Sequence, residues 1–300
     1  MTKHFSVPPS RDGVGPSCVG LPPGPWHSML DFFERRFPSI SRTLWQQRME
    51  QGLVIDERGA AVTPDRPYQA HQRVYYYRAV AAEPRIPFDE SVLYQDEHLV
   101  VADKPHFLPV VPSGNYLNET LLLRLRQKLG LTNLVPIHRI DRDTAGLVLF
   151  SVQPASRAAY SALFAKRQVK KTYEAIAPWR SDLKFPMTRE SRIVEAGHFM
   201  LQHEVSGEVN AITHIDVLEV HGAAARYALS PVTGKRHQLR VHMAALGLPI
   251  VSDGLYPTLT PQGQIDHDRP LQLLARSIEF VDPVSGQPRH FESARRLMPW

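Results

Sequence analysis

The sequence predicts a chain of mixed α and β structure, with a small N-terminal unit ahead of a larger one. Three observations predict this. The 300 residues exceed the comfortable size of one small core. Short apolar runs bounded by turn residues read as buried strands, Leu147-Val148-Leu149-Phe150 being the plainest. Among them lie amphipathic stretches of helical length, such as Leu121 to Leu129. Hydrophobic residues at 43% and charged residues at 22% are ordinary for a globular protein.

Residues 1–25 read as an extended arm. The stretch PPSRDGVGPSCVGLPPGP is rich in Pro and Gly and predicts no regular structure. Residues 26–85 read as a small module. Leu30, Phe33 and Phe37, then Ile40, Leu44, Trp45 and Met49, form the apolar faces of two short helices broken at Pro38. Ser39 or Ser41 suits the cap of the second helix, and Gly52 its end. Leu53 to Ile55 and Arg73 to Tyr77 read as strands. Arg35, Arg36, Arg42 and Arg48 lie on and near the second helix, where they suit phosphate contacts.

Residues 86–300 read as the larger domain. It opens with strand-like runs and a Lys104-Pro105 turn, followed by a basic helix over Leu121 to Leu129. The segment PIHRIDRDTAGLVLF, Pro136 to Phe150, then brings His138, Arg139, Asp141 and Asp143 to a polar turn before a buried strand. A helix over Pro154 to Val169 starts on Pro at its first turn. Lys166, Arg167, Lys170 and Lys171 crowd its end; four cations exceed what a helix dipole needs and predict an edge that tracks phosphates. Tyr173 follows at the start of a strand, placed to stack on a base. Last comes TGKRHQLRVHMAALG, read as a helix from Lys235 to Ala245. Leu239, Met243 and Leu246 mark its buried stripe, while His237 and Arg240, three apart, share another, exposed face.

His138, Arg139, Ile140, Asp141, Thr144 and Gly146 closely resemble the central motif of the RluA-type RNA pseudouridine synthases. That motif is HRLD, two variable residues, then T-S-G and an apolar strand; Ile140 stands for Leu and Ala145 for Ser. Further motifs of that family follow in order. The Lys104-Pro105 opening matches, with Phe107 where the family has Gly. Lys171-Thr172-Tyr173 matches Lys-x-Tyr, and Thr233 to His242 match TGR-x-HQLR-x-H, with Lys235 for the first Arg. DPVSGQPRHF resembles the closing hairpin. The small module resembles the RNA-binding module named for the fourth small-subunit ribosomal protein, through Ser39, Ser41, Arg42, Gly52 and Val54. Asp56-Glu57-Arg58-Gly59 replaces its Asn-Gly turn.

The resemblance implies an α+β pseudouridine-synthase catalytic domain on a curved, mostly antiparallel mixed sheet flanked by helices, plus a small N-terminal α/β RNA-binding module. It implies isomerisation of uridine in structured RNA, ribosomal RNA being favoured over transfer RNA. Asp141 is then the nucleophile or base, Arg240 its partner, Tyr173 the aromatic of the site and Arg139 the side chain that holds the flipped nucleotide. His138, Lys235, Arg236 and His237 join the RNA-binding set, and no cofactor is required.

The composition is compatible with this. A net charge of +5 and a pI near 9.3 favour a polyanionic partner. Cys18 is the single cysteine, which excludes an internal disulfide framework and a cysteine-based zinc site. No apolar stretch approaches the roughly 20 residues of a membrane span, and MTKHFSVPPSRDG lacks the apolar core of a signal peptide. A cytoplasmic monomer without a membrane contact is expected. HRIDRD lacks the spacing and companion motifs of a kinase loop. His237 and His242 are five apart, unlike the i, i+4 pair of a helical zinc site, so no metal is expected. A glycoside hydrolase would want a second acid and an aromatic sugar platform. A non-catalytic RNA-binding factor on the same fold remains the rival from another class, and Asp141→Asn separates the two.

Overall fold

A computed structural model describes residues 8–9, 14–38, 40–78, 83–114, 116–198, 200–260 and 266–298, which form two compact units. The first unit takes in residues 1–83 and 112–118. Its helices are α1 (Met29–Arg36) and α2 (Arg42–Glu50), and its antiparallel sheet runs β1 (Ser17–Gly20), β3 (Arg73–Tyr76), β2 (Val54–Asp56). The stretch expected to be irregular therefore contains a strand. Cys18 and Val19 pair with Tyr75 and Val74, so backbone pairing along β3 overrides the Pro/Gly composition on either side.

Local capping explains where the helices start. Ser28 Oγ accepts the Asp31 amide (3.2 Å) while Asp31 accepts the Ser28 amide (3.1 Å), a capping box. Ser41 Oγ accepts the Leu44 amide (3.3 Å) at the start of α2, and Ser39 lies outside the described residues. Phe32, Phe33, Trp45 and Met49 fill the core between helices and sheet, each adding about 1.5–3 kcal/mol of burial. Two expectations for α2 fail. Arg48 is 6% exposed with its guanidinium over the Trp45 ring (5.1 Å), so it belongs to this core and not to a phosphate-binding face. Leu44, expected inside, is on the exposed side, because Trp45 takes the core position next to it. Asp56 accepts the amides of Arg58 and Ala60 and pairs with Arg66, so this buried acid serves the turn.

The second unit takes in residues 84–111 and 119–300. Its strands are β4 (Ser91–Gln95), β5 (Leu99–Lys104), β6 (Val135–Pro136), β7 (Ala145–Ser151), β8 (Lys170–Pro178), β9 (Met187–Glu195), β10 (Gln202–Val205), β11 (Ala211–His221), β12 (Ala224–Pro231), β13 (Leu273–Val281) and β14 (Pro288–Glu292). They form one sheet in the order β10-β9-β11-β12-β8-β13-β7-β5-β4, with β14 beside β13 and β6 beside β7. The β13–β7 pairing is parallel and the others are antiparallel. The fold is thus α+β, with a mixed and mostly antiparallel sheet. β5 and β7 are buried along their whole length, which is why they read as continuous apolar runs.

The helices of this unit are α3 (Leu121–Leu129), α4 (Pro154–Ala165) and α5 (Gln238–Ala245). α3 has the expected bounds, with a Thr120 cap and Gly130 at φ 69° closing it. α4 stops four residues before the expected Val169, because Arg167 takes a left-handed φ of 56°. α5 starts at Gln238, not Lys235, because His237 is left-handed (φ 55°) and the Gln238 side chain reaches back to the Lys235 amide and Thr233 Oγ1. Leu239 and Met243 pack α5 on Ala175, Ile215, Tyr227 and Leu229 of the sheet. Tyr160 and Leu163 pack α4 on Leu99, Leu147, Leu149 and Ile278.

Candidate active site

The polar turn between β6 and β7 presents Asp141. One of its oxygens, Oδ2, faces Arg240 Nη1 at 3.3 Å; the other, Oδ1, faces His237 Nε2 at 3.9 Å. Arg240 is 2% exposed, which corrects the expected exposed face of α5. It can be buried because its guanidinium is forked onto Asp253, with Nε to Oδ2 at 2.8 Å and Nη2 to Oδ1 at 2.6 Å. Asp253 also accepts the amides of Leu255 (2.8 Å) and Tyr256 (3.1 Å). Burial opposes the Arg240 charge, but Asp253, Asp141 and Asp143 outweigh it and raise its pKa. The outcome is a permanently charged guanidinium aimed at Asp141 by a second, fully buried carboxylate.

The backbone of the turn is fastened from β5. Lys104 is fully buried and its Nζ donates to the carbonyls of Pro105 (2.9 Å) and Arg142 (2.8 Å). Burial lowers its pKa to about 7, against the pull of Asp143 and Asp141. His106 Nδ1 donates to the Asp143 carbonyl at 2.7 Å, and burial holds this histidine neutral, down at about 4. Gly146 has φ 108°, and a Cβ there would stand 2.2 Å from the Ala275 carbonyl oxygen of β13. The glycine lets β13 lie parallel against β7 at the root of the turn.

The other sequence-chosen residues divide. Tyr173, on β8 opposite Ala275 and Leu229, packs on the core beneath α5; burial raises its phenol above the usual range and the Asp141 charge adds to this. Arg139 is exposed and makes no hydrogen bond or ion pair with another described residue. Asp143 pairs with Arg142 (2.8 Å); burial opposes its charge, but Arg142 and Arg240 hold its carboxyl below the usual range. His138 is not placed as a phosphate ligand. Its Nε2 accepts the Leu149 amide (3.2 Å), its ring stacks on Phe164 (4.7 Å), and burial lowers it to about 3, so it offers no cation. His237 likewise is 9% exposed and bonded to Tyr256, not presented to solvent.

Of the basic edge, Lys166 and Arg167 are exposed, Lys170 is exposed but paired with Glu279 (3.1 Å), and Lys171 is half-buried with its pKa lowered by desolvation. Lys235 and Arg236 are exposed. In the first unit, Arg35 and Arg36 are exposed, while Arg42 is tied to Asp31 (2.9 Å) and Glu34 (2.7 Å). Among the described residues, no group of three or more His, Cys, Asp or Glu is placed to hold a metal ion. No helix among them is long and apolar enough to cross a membrane.

Residues 98–245, from β5 to the end of α5, match the family model of the RNA pseudouridylate synthases. An uncharacterized RNA pseudouridine synthase of Synechocystis sp. is 33% identical over 245 residues, 76% of this chain and 79% of that protein. A ribosomal large subunit pseudouridine synthase D of Xylella fastidiosa is 31% identical over 271 residues, 84% of this chain and 80% of that one. The chain belongs to the RNA pseudouridine synthase family. Members so named are isomerases. A human RNA pseudouridylate synthase domain protein, 21% identical over 71% of this chain and 86% of its own, shares the fold with a TM-score of 0.58. The matched region of this synthase contains Lys104, Asp141, Tyr173 and Arg240, whereas Asp253 and Tyr256 lie beyond it. Sequence reading missed Asp253. The signal available was an acidic residue two positions after the run Leu248 to Val251, where a buried charge requires a partner.

Proposed function

We propose that the protein isomerises specific uridines in structured RNA, with Asp141 as the reacting carboxylate. The observation that carries this is the buried Arg240, locked on Asp253 and turned toward Asp141 at 3.3 Å. The reaction breaks the bond from uracil N1 to ribose C1′, rotates the base and forms the bond from C5 to C1′. The C5 proton leaves and N1 regains one, so no atom is gained or lost. Positive charge develops on the sugar as negative charge develops on the base. A fixed carboxylate beneath the sugar can stabilise that cation, attack C1′ or take the adjacent ribose proton, as carboxylates do in the first two respects in glycosidases. Tyr173 is the aromatic on which the uracil rests. Arg139 fills the place the base vacates, offsetting an unstacking cost of roughly a few kcal/mol.

Lys166, Arg167, Lys170, Lys171, Lys235 and Arg236 then follow the phosphate backbone. The first unit serves as an accessory RNA-binding module through Arg35, Arg36 and Arg42. Such a module accords with a ribosomal RNA substrate, and one relative is named for the large ribosomal subunit. The protein needs no metal or organic cofactor for this chemistry and works as a cytoplasmic monomer. Purified Asp141→Ala should convert no uridine in RNA from cells lacking the gene, whereas Asp143→Ala should keep much of the activity. The reverse pattern would sink the assignment. Chemical mapping of pseudouridines in cells with and without the gene identifies the target.

A further inference from the structure

Asp141 has a second neighbour whose arrangement the motif does not explain. His237 stands just before α5 in a left-handed conformation (φ 55°), with its Nε2 3.9 Å from Asp141 Oδ1 and its Nδ1 3.0 Å from the Tyr256 hydroxyl. The Gln202 amide can only donate, and it donates to Tyr256 Oη at 2.8 Å. With its oxygen accepting that amide, the Tyr256 hydroxyl keeps its own proton free to give to His237 Nδ1. A neutral imidazole whose Nδ1 accepts carries its proton on Nε2, the nitrogen that faces Asp141.

We infer that Tyr256 sets the tautomer of His237 so that its Nε2–H holds Oδ1 of Asp141, while Arg240 holds Oδ2. This rests on the reading of Asp141 as the reacting carboxylate. The two donors fix both the position and the rotation of the carboxylate plane, which Arg240 with one nitrogen on one oxygen cannot do. The distance of 3.9 Å is longer than a hydrogen bond, and a closure of roughly 1 Å brings it into range. Catalytic contacts commonly tighten in this way when substrate enters. Burial lowers the His237 pKa, so the ring serves as a neutral donor. The groups acting on His237 are Asp141, Arg240, Arg236 and Asp253, with Tyr256 bonded to it. Those acting with Asp141 are Arg240, His237, Lys104, Tyr173 and Tyr256. Tyr256 is also tied to the Arg240 clamp, since its amide binds Asp253 and its ring lies under the guanidinium (5.6 Å). His237 and Tyr256 are thus positioning residues, and neither is required to bind RNA.

The test compares Tyr256→Phe, His237→Phe, the double variant and Asp141→Ala in the full chain. Tyr256→Phe keeps the ring but strands the Gln202 amide, so His237→Phe, which leaves that bond in place, guards against a folding defect. Each single variant should lose on the order of 10²-fold in kcat, the scale of a misplaced reacting group, with the RNA dissociation constant nearly unchanged. The double variant should be no slower than the worse single one, because both remove the same hydrogen bond. A folded His237→Phe with full kcat, or losses that multiply in the double variant, overturns the inference while an inactive Asp141→Ala leaves the reading of Asp141 standing. An active Asp141→Ala overturns both.

Discussion

Arg240 commits three nitrogens to two carboxylates, and no other cation could do this from the same place. Nε and Nη2 take Asp253, and Nη1 is left for Asp141. Lysine keeps the charge but is a single point on a flexible stem, so it can serve one carboxylate at a time. In Arg240→Lys the turnover should therefore fall on the order of 10²-fold through misplacement of Asp141. Binding should change little, because the exposed cations lie elsewhere. Loss of one buried hydrogen bond to Asp253 should cost about 1–3 kcal/mol of stability. Single-turnover conversion, filter binding and urea unfolding measure the three; a Lys variant with full turnover contradicts the account. The sequence pointed to Arg240 and Asp141 but not to Asp253. The apolar run before Asp253 marks it as a candidate for burial, but nothing local tells which of 30 Asp and Glu residues meets a buried guanidinium.

Among the elements, β7 and its entry turn matter most, because they carry Asp141 against three neighbours. β5 pairs along its length, Lys104 and His106 hold the carbonyls of Arg142 and Asp143, and β13 runs parallel at Ala145 and Gly146. Gly146 is where these constraints meet. Alanine there would put a methyl group into the Ala275 backbone and hold a left-handed φ besides. Gly146→Ala should destabilise the protein by roughly 3–5 kcal/mol, in the range reserved for a forced backbone shift. Urea unfolding checks this, and an unchanged midpoint would mean that β13 can give way. The motif marks Gly146 by its place after Thr144; the reason for it appears only when β13, more than a hundred residues later, is laid beside it.

At the scale of the larger unit, burial lowers the pKa of four described histidines, His237 among them. His106 and His242 are lowered to about 4 and His138 to about 3, from an ordinary 6.5. Their folded pKa values are depressed, so the unfolded chain binds more protons as the pH drops below 6.5. The stability they contribute is complete above 6.5 and is lost as pH falls toward the folded values. Carboxylates held low by partners, such as Asp56 and Glu204, lose theirs only below their ordinary 3.8 and 4.5. Lys104, lowered to about 7, acts on the alkaline side, where stability rises from there toward 10.5. Urea midpoints should therefore fall steadily from pH 6.5 to about 4.5. A His242→Gln variant should show a shallower fall. A flat profile in that window would show that these rings take up protons without unfolding.

What the sequence by itself determined is what depends on neighbours along the chain. The apolar run of β7, the helix from Leu121 to Leu129 with Gly130 after it, and the turn bearing Asp141 follow from burial period and breaker residues. The tertiary structure decided the rest. Ser17 to Gly20 became a strand because β3 offered it hydrogen bonds, and Arg48 went inward because Trp45 lay beneath it. α5 began at Gln238 because that side chain found Thr233 and the Ile212 carbonyl across the sheet. Asp141 and Arg240 met across 99 positions of chain, with Asp253 fixing the geometry. Hydrophobic periodicity reports which face of an element is buried, but the partner of a buried charge is set by the strand order that brings distant segments together.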